Sequence, residues 1–125
     1  MRRTRALELV IEEMAKAGRP VTTQELASTA ALAQQCDQAT VYRLVIKLLE
    51  QGLVRKLGLH ERSAYFALLV PGEHHDYLVC TDCGAIQTLD ISCPVAKLEE
   101  DIMKTSGFQE IYHELEFYGT CPECV

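Results

Sequence analysis

Four of the six cysteines in this 125-residue sequence form two Cys-x-x-Cys pairs, Cys80/Cys83 and Cys121/Cys124. In a chain without secretory features, paired cysteines at this spacing point to metal before disulfide. Thirty-seven residues separate Cys83 from Cys121, room for a strand, a helix and a second strand. Four thiolates suit tetrahedral Zn2+, with Zn–S near ~2.3 Å. With all four positions filled, no water is activated, so the ion is structural and its binding contributes directly to folding. Four reduced cysteines without an ion, or two redox dithiols, are the alternative.

Charge divides the chain in the same way. Residues 1–70 carry 10 Lys and Arg against 7 Asp and Glu, a net +3, whereas residues 71–125 carry 2 against 11, a net −9. A basic half can meet phosphates and an acidic half can hold cations, although solvated charge also segregates by chance. Hydrophobic content of 48% is enough for a packed core. No apolar run approaches ~18 residues, which excludes a membrane helix. The basic start Met1-Arg2-Arg3-Thr4-Arg5 runs into Glu8, Glu12 and Glu13, which no signal-peptide core contains. A cytoplasmic protein is expected.

The elements around these residues read as follows. Leu7, Val10, Ile11 and Met14 mark one face of a helix over 5–17, stopped by Gly18 and Pro20. Thr22 and Glu25 form a capping box for a second helix, expected to run to about Gln34. Asp37 caps a third, with Val41, Leu44, Val45, Leu48 and Leu49 turned inward and Gly52 at its end. Segments 53–57 and 64–68 then alternate as two short strands around a polar turn, His60-Glu61-Arg62-Ser63. Three helices and a hairpin are the order of a winged helix-turn-helix. A recognition helix reads base edges from its N-terminal part, here Gln38, Thr40, Tyr42 and Arg43. Arg43 suits guanine or phosphate, and Tyr42 suits phosphate or a thymine methyl. Arg2, Arg3, Arg5, Arg55, Lys56 and Arg62 are further phosphate candidates, with plain solvated surface as the other reading of each.

Pro71-Gly72 marks a hinge. Beyond it the pattern predicts strands over 77–80 and 85–89, a helix over 94–106 ended by Gly107, and a long strand over 108–118. Cys36 and His60 read as surface residues.

Ala39-Thr40-Val41-Tyr42-Arg43, Leu48-Leu49-Glu50-Gln51-Gly52-Leu53-Val54, His74-His75-Asp76-Tyr77-Leu78-Val79-Cys80-Thr81-Asp82-Cys83-Gly84 and Tyr118-Gly119-Thr120-Cys121-Pro122-Glu123-Cys124 together resemble the ferric uptake regulator (Fur) family along nearly the whole chain. The resemblance implies an α+β protein: a winged-helix DNA-binding domain over 1–70, then a small α/β dimerisation and metal-binding domain over 71–125 carrying the four-cysteine zinc. It implies a homodimeric, metal-responsive repressor, not an enzyme, gripping double-stranded DNA at an A·T-rich palindromic operator. The resemblance also implies that Tyr42 and Arg43 contact the DNA.

The family's hinge sensor transfers poorly, since its positions fall near Arg19-Pro20, Ala67-Leu68, Thr88 and His75-Asp76-Tyr77, and of its ligands only His75 is clearly present. A second family metal site fits better, with His74, Asp76 and His113. The nearest helix carboxylates are Glu99 and Glu100, and Cys93 is a possible soft substitute. That donor set suits Zn2+, Fe2+ or Mn2+ without choosing among them. His113 falls on an apolar strand face, where a satisfied core histidine is the other reading. Family members usually carry one more N-terminal helix, so the basic arm is expected either to replace some of its DNA contacts or to leave DNA binding altered. Two rival functions follow: a Fur-like regulator with altered or lost metal sensing, constitutive or responsive to thiol or peroxide chemistry, and, more distantly, a zinc-dependent hydrolase or deaminase. The sequence has no His-x-Glu beside a Pro-Cys-x-x-Cys, as a zinc deaminase requires.

Overall fold

The structure is a computed structural model that describes residues 4–58, 64–70, 74–89 and 95–125. Arg2, Arg3, the turn 60–63, the Pro71-Gly72 hinge, Cys93 and Pro94 lie outside the described residues. The chain divides into two compact units, Met1–Glu73 and His74–Val125.

In the first unit, α1 (Arg5–Ala17) starts where the Thr4 hydroxyl accepts the Leu7 N–H at 3.2 Å, and ends at Gly18, whose φ of 61° is left-handed. The Thr22 hydroxyl caps α2 (Thr23–Ala27) by accepting from the Glu25 N–H at 3.1 Å. The Glu25 carboxylate, expected to reach back to the cap, pairs instead with Arg19 at 2.8 Å. The expected single helix to Gln34 is two helices, because α3 (Ala30–Ala33) is separate. Thr29 between them is extended (ψ 146°). The Ser28 and Thr29 hydroxyls donate to the Gln24 and Leu26 carbonyls at 2.9 and 2.8 Å, taking up acceptors at the end of α2.

The Asp37 carboxylate caps α4 (Gln38–Glu50), accepting the Thr40 N–H at 2.8 Å. At its other end Gly52 turns left-handed (φ 74°) and the Leu53 N–H reaches back to the Leu48 carbonyl at 2.9 Å, a Schellman closure. β1 (Val54–Leu57) and β2 (Tyr65–Leu68) pair antiparallel, and Val21 adds a bridge to Phe66 on the far side of β2. Val41, Val45 and Leu48 are fully buried along one stripe of α4, against Leu7, Val10 and Met14 of α1, Leu26, Leu32 and Phe66. Each such aliphatic side chain contributes about 1.5–3 kcal/mol by leaving water. The opposite face of α4, with Tyr42, Arg43 and Lys47, is exposed.

The second unit is a three-stranded sheet in the order β4-β3-β5, formed by β3 (Tyr77–Cys80), β4 (Ile86–Thr88) and β5 (Glu116–Gly119), with α5 (Ala96–Ser106) between β4 and β5 in sequence. β3 is central, antiparallel to β4 and parallel to β5. The long strand expected over 108–118 is strand only from Glu116. The ladder with β3 runs from Tyr77↔Glu116 to Cys80↔Gly119, and β3 itself begins at Tyr77. A strand exists only where a neighbouring edge takes its hydrogen bonds. Glu110, at φ 55°, also turns the backbone left-handed ahead of it. Among the described residues no helix is long and apolar enough to cross a membrane.

Candidate metal centres and nucleic-acid interface

The parallel pairing of β3 with β5 carries the two cysteine pairs to one end of the sheet. Cys80 is the last residue of β3, and Cys121 follows β5 by two residues. The Thr81 N–H donates to the Gly119 carbonyl at 2.8 Å, extending the pairing past the strands. Gly84 (φ 79°) turns the chain back toward β4 beneath the first pair, with the Gly84 N–H on the Cys80 carbonyl at 3.0 Å. The four sulfurs lie within 4.8 Å of one another. Cys83 Sγ and Cys121 Sγ are 3.8 Å apart. That is the edge of a tetrahedron whose metal–sulfur bonds are ~2.3 Å.

Backbone dipoles already favour a thiolate there. The N–H groups of Cys83 and Cys121 donate to Cys80 Sγ at 3.5 and 3.3 Å and hold its thiol down to about 6. Hydrogen bonding to the Cys121 thiol, then burial, pushes Cys124 up to about 12. At Cys83 the Ala85 N–H lowers the thiol, but hydrogen bonds with the Cys80 and Cys121 thiols and burial outweigh it and raise it. Four sulfurs crowded this closely cannot all ionise without a cation between them. The donor set, spacing and backbone N–H groups fit a four-coordinate zinc.

A second cluster forms at the opposite end of the β3–β5 pairing. The Tyr77 N–H donates to the Leu115 carbonyl at 3.2 Å, so the residues before β3 run beside those before β5. His74 Nε2 lies 3.0 Å from Asp76 Oδ1, and His113 Nε2 lies 3.5 Å from the same oxygen. The His74 and His113 rings meet edge to face, with centroids 4.5 Å apart. Asp76 is buried, with 5% of its surface exposed. A buried carboxylate is costly unless compensated, and here two imidazoles converge on it. These three residues offer ligand atoms that all lie within 4.8 Å, a geometry that fits a divalent ion.

Of the two helix carboxylates, the fold turns Glu99 to the cluster, with its Oε1 on His113 Nδ1. Glu100 is exposed. His75 points elsewhere, its ring tilted against Tyr77 at 6.5 Å between centroids. His74, and not its neighbour His75, shares the cluster with Asp76. Cys93 lies outside the described residues.

On α4, Gln38, Tyr42 and Arg43 are exposed. Thr40 is partly held inward, its N–H on Asp37 and its hydroxyl accepting from Arg43 Nη2 at 3.3 Å. Arg5 lies on α1 beside Glu8 and Glu12, at 3.8 and 3.7 Å. Arg55 is buried at 4% exposure, so it is not the surface phosphate contact its charge suggested, whereas Lys56 is exposed. Cys36, expected at the surface, is half-buried against the core of the first unit.

A winged helix and a small sheet that gathers four cysteines define the class of fold to which this chain belongs, and its relatives share it. The sequence model of the ferric uptake regulator family matches residues 1–118. The chain belongs to that family. It is 34% identical over 86 residues to the ferric uptake regulation protein of Legionella pneumophila, covering 69% of this chain and 62% of that protein. The chain thus spans about three fifths of that relative's length. The Vibrio cholerae ferric uptake regulator superposes with a TM-score of 0.69 at 26% identity, over 97% of this chain and 92% of that one. The Pseudomonas aeruginosa ferric uptake regulator, solved with manganese, superposes with a TM-score of 0.75 at 22% identity, over 98% of this chain and 91% of that one.

Proposed function

We propose that this chain is a metal-responsive DNA-binding repressor that acts in the cytoplasm as a homodimer on an A·T-rich palindromic operator. The observation that carries the reading is the joining, in one chain of this family, of a winged helix with an exposed basic recognition face to a unit holding two clusters of metal ligands. The first unit, Met1–Glu73, meets DNA. There α4 presents Gln38, Tyr42 and Arg43 to the major groove, with Thr40 at its N-terminal turn. Arg3 of the basic arm and Arg5 at the start of α1 add phosphate contacts. The second unit, His74–Val125, pairs the protomers. Phe108, Tyr112, Phe117 and Tyr118 are exposed there and offer apolar surface to a second copy of the chain.

Cys80, Cys83, Cys121 and Cys124 hold structural zinc. His74, Asp76 and His113 hold a regulatory ion, Fe2+, Mn2+ or Zn2+, which supplies two positive charges to a buried carboxylate. Those residues precede β3 and β5, so occupancy stiffens the lead-in to both strands. The manganese in the Pseudomonas aeruginosa relative supports a divalent ion of this class.

The test is selection of binding sites from random duplex DNA, followed by titration of the selected site with chelator or with added Mn2+, Fe2+ or Zn2+. The reading expects a palindromic site bound at least about tenfold more tightly with metal, a coupling of about 1.4 kcal/mol. It expects that gain to vanish in the double variant His74→Ala, Asp76→Ala. Tight, sequence-selective binding unaffected by metal would favour a regulator that has lost metal sensing. Binding blind to sequence would sink the repressor reading.

A further inference from the structure

We infer that Thr40 is a positioning residue of the reading helix: its hydroxyl holds the Arg43 guanidinium in place before DNA arrives, so that discrimination at one base pair depends on a side chain that need not touch it. The inference rests on the reading of α4 as the recognition helix and assigns that helix the group that aims its arginine.

Thr40 stands between a cap and a cation. Its N–H donates to Asp37 Oδ1 at 2.8 Å, and its hydroxyl accepts from Arg43 Nη2 at 3.3 Å. Thr40 and Arg43 are three positions apart on α4, the spacing that makes helix side chains neighbours. A threonine hydroxyl has one proton to donate and lone pairs to accept with. The proton goes to the Asp37 carboxylate, which can only accept. That bond is the largest of the effects that hold the Asp37 carboxyl below its ordinary 3.8, and the charge of Arg43 adds to them. The lone pairs are left to Arg43. Carboxylate, hydroxyl and guanidinium thus form a row with opposite charges at its ends, in which each hydrogen bond polarises the next.

Arg43 is exposed and Thr40 is half-buried. A long exposed arginine samples many rotamers, yet to read a guanine edge it must settle in one. Threonine is β-branched and stiff at χ1, and the cap fixes its backbone at the third position of α4. It therefore offers the guanidinium a stationary acceptor at the end of the helix where base edges are read. Only Nη2 is engaged there, so the other N–H groups of the fork remain for a bidentate pair with a base.

The experiment uses the full chain, with its cysteine centre loaded with zinc and Mn2+ added. The DNA is a duplex selected from random sequence, with every single-base-pair variant of one half-site. Affinities are compared for the wild type, Thr40→Val, Thr40→Ser, Arg43→Ala and the double variant Thr40→Val, Arg43→Ala. Thr40→Val keeps the branched shape and the capping N–H but loses the hydroxyl, whereas Thr40→Ser keeps the hydroxyl. Thr40→Val should lower discrimination about 2- to 10-fold at the base pair that Arg43→Ala identifies, the scale of ordering one rotamer-rich side chain. Preferences elsewhere and the salt slope should hold, because the phosphate contacts are unchanged. Thr40→Ser should restore discrimination, and Thr40→Val should add nothing once Arg43 is gone. In the DNA-free protein, 15N relaxation should show the Arg43 Nε–H ordered in the wild type and Thr40→Ser, and mobile in Thr40→Val.

Full discrimination in Thr40→Val would overturn the inference. So would a loss spread evenly over all positions, or one that persists without Arg43, since either makes Thr40 a DNA contact or a helix support in its own right. An Arg43→Ala variant that loses affinity without losing preference at any base pair would overturn it too. In the wild type, an Arg43 Nε–H as mobile as that of an unstructured arginine would do so whether or not the variants fold. A wild type that selects no sequence would sink the recognition-helix reading itself, and this inference with it. A wild type that discriminates while Thr40→Val is indistinguishable from it removes the positioning role alone.

Discussion

Cys83 Sγ and Cys121 Sγ lie 3.8 Å apart although 38 positions separate them in sequence. A central strand and its parallel neighbour end side by side, and each releases a cysteine loop at the same edge. Stability of the second unit depends on that meeting. Among the described residues the first unit buries a cluster of thirteen apolar side chains. In the second, α5 buries none of its residues, and the buried apolar side chains among the described residues are Tyr77, Val79 and Cys80.

Cys121→Ser should therefore uncouple the two units. We expect stoichiometric zinc to be lost and amide signals from β3, β4 and β5 to collapse toward unfolded shifts. Signals from α1 and α4 should stay dispersed. Zinc analysis with 1H–15N spectra checks this. Well-dispersed second-unit signals in a zinc-free variant would count against an ion that drives folding.

Zinc uptake should release protons. In the metal-free protein Cys80, near 6, is already a thiolate at neutral pH, whereas Cys124, near 12, and Cys83, also raised, keep their protons. Zinc requires all four sulfurs deprotonated, so at least those two protons leave. Apparent affinity then rises with pH, and it falls faster below about 6, where Cys80 also takes a proton. Calorimetry in buffers of different ionisation enthalpy counts the protons. Release of fewer than two would contradict the thiol arrangement.

The cap of α4 carries its own acid dependence. Hydrogen bonds from Thr40 hold the Asp37 carboxyl below its ordinary 3.8. A depressed carboxyl stabilises the fold above its unfolded value, and the contribution is lost as pH falls through the folded value. Asp37→Asn keeps the cap without the charge. It should therefore flatten the acid limb of stability measured by urea unfolding below 3.8. An unchanged acid limb would show that the charge does not matter.

Packing behind α4 sets the stability of the first unit. Leu48 is fully buried, and Leu48→Ala should cost about 2–5 kcal/mol. Thr22→Ala, which removes one cap, should cost about 1 kcal/mol. Urea midpoints of the two variants separate these effects. Equal losses would mean that the core closes over the cavity.

Arg43 is the side chain whose loss should most affect DNA binding. Arg43→Ala should weaken operator binding by about 1–3 kcal/mol and relax preference at one base pair if the guanidinium reads a base edge. A phosphate contact would instead weaken all sequences alike and lower the salt slope by roughly one. Anisotropy titrations across salt concentration distinguish the two. An unchanged affinity would remove α4 as the reading helix.

Much of this architecture is local and was readable from residue types alone. Thr22 and Asp37 begin helices because their side chains accept N–H groups that a helix start leaves free. Gly18, Gly52 and Gly107 end segments because the chain needs a left-handed residue there. The Cys-x-x-Cys spacing names thiolate chemistry without any knowledge of the fold. What depends on distant partners was decided only in three dimensions. The strand before Gly119 is short because β3 offers it four residues of edge. Arg55 is buried although its charge pointed to the surface. Glu99 rather than Glu100 meets His113 because helix phase, which neighbouring sequence positions cannot reveal by their chemistry, turns one carboxylate inward and the other to water.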